Sequence, residues 1–123
     1  MTLRFAGYAA VFDRPDRGGD VIRAGAFGAA RSVPLLAQHR GAPIGRAEIA
    51  EDARGLRVIG EIADAQVARL VDARAIDGLS VGYRTRASRR GPRGRELLAV
   101  ELIKVSLVAQ PMQPLARVHA IES

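Results

Sequence analysis

Two histidines and no cysteine narrow the chemistry open to this 123-residue chain. The imidazole is the side chain whose ordinary pKa lies nearest neutrality, so His39 and His119 are the available general bases. Without cysteine there is no thiol nucleophile, no disulfide and no thiolate metal site. A serine hydroxyl then becomes the candidate nucleophile, and it needs a base to take its proton. Ser80 sits in Ile76-Asp77-Gly78-Leu79-Ser80-Val81-Gly82-Tyr83, and His39 in Leu35-Leu36-Ala37-Gln38-His39-Arg40-Gly41-Ala42-Pro43-Ile44-Gly45. Such a pair performs acyl transfer, with a third group normally fixing the imidazole. Residue types alone do not choose this reading. A lone His closing an apolar run is more often structural, and a Ser between Leu79 and Val81 more often a strand residue. Ser106, in a strongly apolar strand, reads as packing, and His119 as an exposed residue near the terminus.

The elements that must position these residues are mostly strands. Leu3 to Phe12, Val21 to Arg23, Val33 to His39 and Ile44 to Ala50 read as extended segments, separated by turn clusters at 13–19 and around Gly41-Ala42-Pro43. Leu56 to Ala63 alternates apolar and polar residues, as a half-buried strand requires. Asp64 to Ala75 changes period: Ala65, Ala68, Val71 and Ala75 recur every three or four residues, which predicts a helix with Asp64 as N-cap. Leu79 to Ala87 and Glu96 to Ala109 are further strands, the second bent near Lys104, with a loop over Arg89 to Gly94. Gly25 to Arg31 is expected to form one or two helical turns. The pattern predicts a mainly β (α+β) fold: a small closed or nearly closed β-barrel with one clear flanking helix and short helical turns.

Length bounds this to one domain over 1–123 with one core. Apolar residues are 48% of the chain and aromatics only 4%, so that core is aliphatic. No apolar run approaches the ~18 residues that span a membrane, and the first residues lack a signal-peptide pattern. Net charge is +6, carried by Arg throughout except for Lys104. Acidic residues are interspersed along most of the chain, which favours codon usage over nucleic-acid binding as its origin. Arg84, Arg86, Arg89, Arg90, Arg93 and Arg95 form the densest basic stretch. They read as a solvated hairpin, or as a contact for an acidic partner. No aromatics interleave after Tyr83, which argues against base stacking. No metal-ligand spacing or phosphate loop occurs, so neither metal nor cofactor is expected.

Four pieces in order resemble the caudovirus prohead serine proteases. They are Gly7-Tyr8-Ala9-Ala10-Val11-Phe12-Asp13 with Asp20-Val21-Ile22 and Gly25-Ala26-Phe27; His39 with Pro43-Ile44-Gly45; Gly78-Leu79-Ser80-Val81-Gly82-Tyr83; and Val105-Ser106-Leu107-Val108 with Pro111. The resemblance covers most of the chain. It implies a fold similar to the herpesvirus assembly proteases, with Ser80 as nucleophile and His39 as general base, then general acid. It implies a serine endopeptidase that cuts the scaffold segment of the major capsid protein, or a separate scaffold, and itself. That activity belongs inside an assembling procapsid in the bacterial host cytoplasm, with self-association as a step. The source is a phage, a prophage or a gene transfer agent. For the third catalytic group Glu101 is the first choice, with Asp77 and Asp20 as alternatives. Family members often carry an acid just before the Val-Ser pair, where this chain has Lys104. That departure supports a second reading, a weak or inactive homologue retained as an assembly or scaffold-binding protein.

Overall fold

The computed structural model describes residues 2–122. Eight strands and one helix follow in the order β1 (Leu3–Val11), β2 (Asp20–Ile22), β3 (Arg31–Ala37), β4 (Arg40–Glu51), β5 (Gly55–Ile62), α1 (Ala65–Asp72), β6 (Gly78–Gly91), β7 (Gly94–Val108) and β8 (Val118–Glu122). All strands join one sheet, ordered β2-β7-β3-β4-β5-β1-β8, with β6 paired to β7. The fold is mainly β with one helix, as the alternation predicted. The ladders do not close into a barrel. Between β6 and the start of β8 there is one isolated bridge, Gly78 to Arg117.

The core is aliphatic. Leu3, Leu35, Leu56, Val58, Ile62, Leu79, Leu97, Val105 and Leu107 are fully buried together with Phe5 and Phe27. Burying each such side chain contributes about 1.5–3 kcal/mol. Pro34, which has no N–H, sits in β3 just before the β7 ladder begins at Leu35, so no hydrogen bond to β7 is lost.

Helix α1 starts where its cap demands. The Asp64 carboxylate accepts from the Val67 N–H at 3.0 Å. Ala68 and Val71 bury one face. The helix stops at Asp72 rather than running to Ala75. Arg74 turns into the left-handed region (φ 61°), and the Ala75 N–H returns to the Leu70 carbonyl at 2.9 Å. This hydrogen-bonded stop satisfies the last carbonyls and ends the helix without a glycine.

Three further segments differ from expectation. Gly25 to Ala30 form a turn and a bend, not helix, and Arg31 already begins β3. The Glu51 carboxylate draws them into place by accepting from the Gly25 and Phe27 N–H groups at 2.7 and 2.8 Å. Arg89 and Arg90 are strand, not loop, because cross-strand charge pairs hold the hairpin to its tip. The Arg89 guanidinium meets Glu96 at 2.8 Å and Arg86 meets Glu101 at 3.1 Å. The C-terminal segment, unread in the sequence, pairs with β1 as β8.

Candidate functional site

Strand β7 carries both halves of the candidate site. It runs parallel to β3 and antiparallel to β6, with Ser106 opposite Leu36 on one side and Ser80 on the other. Directly opposed residues share a face, so the Ser80 and Ser106 side chains are neighbours. Ser80 is 5% exposed and Ser106 is fully buried. The Ser106 hydroxyl has no hydrogen-bond partner.

His39 lies one turn beyond β3. Ala37 pairs with Arg40, leaving Gln38 and His39 as a two-residue hairpin loop. Both are left-handed (φ 53° and 64°), which is the geometry of a type I′ turn. Neither is glycine, so the turn is costly and must be held from outside. Two contacts from β7 do so. The Gln38 N–H donates to the Leu107 carbonyl at 2.9 Å, and the Lys104 ammonium donates to the His39 carbonyl at 2.7 Å.

Lys104 reaches that carbonyl because of a bulge. Gly82 pairs with Lys104, but Tyr83 pairs with Leu102, so Ile103 is an extra residue on β7. Such bulges re-aim the side chains beside them. The Lys104 stem then lies on Gly82, where an added Cβ would stand 2.6 Å from Cγ and 2.7 Å from Cε. Any side chain at Gly82 would displace the lysine. The stem crosses from β7 over β6, so the His39 turn leans toward the strand that carries Ser80. Burial lowers the His39 pKa below its ordinary value, and the Lys104 charge lowers it further. No carboxylate counters either effect. The imidazole makes no hydrogen bond to the Ser80 hydroxyl.

The model of the caudovirus prohead serine protease family matches residues 1–123. This chain belongs to that family. It is 34% identical over 92 residues to the prohead protease of Enterobacteria phage HK97, covering 64% of this chain and 41% of that protein. The fold matches a KSHV protease in complex with a hexapeptide phosphonate inhibitor, with a TM-score of 0.63 at 16% identity over all of this chain and 66% of the other. A second KSHV protease structure gives a TM-score of 0.59 at 17% identity, covering 99% of this chain and 61% of the other. The chain therefore spans less than half of its curated relative and about two thirds of the KSHV proteases.

In this chain each expected acid pairs with an arginine instead. Glu101 pairs with Arg86 at 3.1 Å across the hairpin. Asp77 pairs with Arg117 at 2.9 Å, and Asp20 takes a bidentate pair from Arg95 at 3.1 and 2.9 Å. The charged side chain that touches the His39 turn is Lys104. His119 is exposed on β8 and packs against the Tyr8 ring.

Two features invisible in the sequence complete the site. First, the Leu79 N–H leaves β6 for the Ala116 carbonyl at 2.9 Å, away from β7. Strand alternation gives the Val81 N–H the same direction, toward the segment between β7 and β8. Second, Gln113 fixes that segment. Its buried amide accepts from the Val11 N–H at 2.5 Å and donates to the Val11 carbonyl at 3.1 Å. Gln113→Leu keeps the bulk but strands both backbone groups, each worth about 1–3 kcal/mol when left unpaired. Urea unfolding should show a loss of about 2–4 kcal/mol; an unchanged midpoint would remove Gln113 as the anchor.

Proposed function

We propose that this chain is a serine endopeptidase of capsid maturation, with Ser80 as nucleophile and His39 as its base. The observation that carries the reading is the shared support. β7 holds the His39 turn on one edge and Ser80 on the other, inside a family of prohead proteases. Ser80 Oγ attacks the scissile carbonyl carbon while the imidazole accepts its proton. The Val81 N–H faces the side on which the carbonyl oxygen gains charge and serves as an oxyanion donor. His39 then returns the proton to the leaving amine as the C–N bond breaks. Water, deprotonated by the same imidazole, adds to the acyl carbon, and the imidazolium returns that proton to Ser80 Oγ as the C–Oγ bond breaks. Depression of the His39 pKa keeps the imidazole neutral and able to accept. Glu101, held by Arg86, has no part in this scheme.

On this reading the substrate is the scaffold segment of the major capsid protein, or a separate scaffold, and the chain itself. The setting is a procapsid assembling in the host cytoplasm from a phage, prophage or gene transfer agent, with self-association bringing copies together. A second reading, an inactive assembly protein, is favoured by Lys104 in place of an acid and by the unpaired Ser80 hydroxyl.

Intact-mass analysis of the neighbouring capsid protein, co-expressed with wild type or Ser80→Ala, separates the two readings. Loss of a defined N-terminal segment with wild type alone supports the peptidase. An uncut capsid protein in both, with assembly still altered, supports the assembly protein.

A further inference from the structure

Ser80 opens onto a cavity of about 240 Å³. Small-molecule sites usually span roughly 300–1,000 Å³, so this one suits a single side chain. Ala9, Ala10, Val81 and Met112 give it apolar walls, and Asp16, Asp20 and Tyr83 a polar end. The walls and the polar end match a long side chain with a charged tip.

The polar end is electronegative on a chain whose net charge is +6. Arg95 engages both oxygens of Asp20, but no cation meets Asp16. Asp16 Oδ1 accepts from the Gly18 and Asp20 N–H groups at 2.8 and 2.9 Å, which leaves Oδ2 unpaired. Burial raises the Tyr83 pKa, and the Asp20 and Asp16 charges raise it further, against a smaller opposing effect of Arg95. The field at the phenol is therefore negative even with Arg95 in place. An independent observation ties this pocket to a ligand. Ser80 is 5% exposed, lines the same cavity, and its hydroxyl has no hydrogen-bond partner among the described residues.

We propose that this cavity is the specificity subsite for a lysine at the residue whose carbonyl Ser80 attacks. The aliphatic stem lies along Ala9, Ala10 and Val81, and the ammonium donates to Asp16 Oδ2. One free carboxylate oxygen suits a point charge better than a guanidinium, which seeks two. The inference rests on the peptidase reading above.

The test uses two short peptidyl diphenyl phosphonates that differ only in the terminal residue, lysine or norleucine. Labelling forms the Ser80 Oγ–P bond as phenoxide leaves, and intact mass reads its rate. A charge-assisted hydrogen bond worth about 1.5–3 kcal/mol predicts lysine faster by roughly 10–100-fold. Asp16→Asn keeps the Oδ1 acceptor that holds the turn and should bring the ratio close to one. Met112→Lys places a cation at the cavity mouth while leaving the Asp16 carboxylate in place and should do the same. Equal rates in wild type, or a preference that survives both substitutions, would overturn the subsite while leaving Ser80 as nucleophile. Labelling of Ser80 by neither phosphonate would overturn the peptidase reading and the subsite with it.

Discussion

His39→Ala is expected to lower kcat/KM for peptide hydrolysis by about 10²–10⁴-fold, the range a positioned general base contributes. The proton on Ser80 Oγ then has only water to receive it. Nucleophile and base act as a unit, so the double variant Ser80→Ala/His39→Ala should be no worse than Ser80→Ala alone. A peptide spanning the capsid cleavage site, cut by wild type and the three variants at equal concentration, gives the comparison. Additive losses would mean that His39 supports the fold rather than the proton transfer. Thermal unfolding of His39→Ala guards the same point. His39 is only partly desolvated and remains largely exposed at the tip of a two-residue turn, so its truncation should leave the melting temperature nearly unchanged.

Replacing Lys104 has the next largest effect, and it has a sign. Burial and the Lys104 charge both lower the His39 pKa. A base works when neutral, so the acid limb of the pH profile falls below the ordinary imidazole range near 6.5. Lys104→Met removes one of the two causes. The His39 pKa rises toward its ordinary value, and the limb moves to higher pH. Lys104→Glu reverses the charge and moves it further in the same direction. Both variants also free the His39 carbonyl, and a base displaced by an ångström can cost up to about 10²-fold in rate. NMR reads the electrostatic part directly. The chain has two histidines, so the His39 imidazole signal is readily assigned, and its titration should respond to residue 104. A His39 titration unmoved in Lys104→Glu would reduce the lysine to a purely mechanical tether.

Much of this was legible in the residues, for a definable reason. Strands with one wet face announce themselves by alternation, as in Leu56, Val58 and Ile62. The helix announced itself through alanine spacing and Asp64. The assignments of Ser80 and His39 came from motif order, which is preserved in a linear chain. What stayed hidden depends on distant partners. Gly25 to Arg31 reads as helical turns, yet its Gly25 and Phe27 N–H groups are claimed by Glu51 from another strand. The five residues of β8 are strand because β1 offers an edge. The third position was sought among acids because charge type is visible in sequence. The contact made by Lys104 depends on an extra residue at Ile103 and on a left-handed turn 65 positions earlier in the chain. Neither leaves a local signature.

The central place of β7 also sets an order of events during synthesis. The His39 turn and the Ser80 strand both dock on residues 104–108, the last rungs of the longest strand. Pairings this distant in sequence form late, because loop closure comes before any gain from contact. A nascent chain extended to residue 100 already contains both residues, with nothing to hold them side by side. On the peptidase reading, its chemistry is withheld from the ribosome's surroundings until Lys104 and Ser106 have emerged.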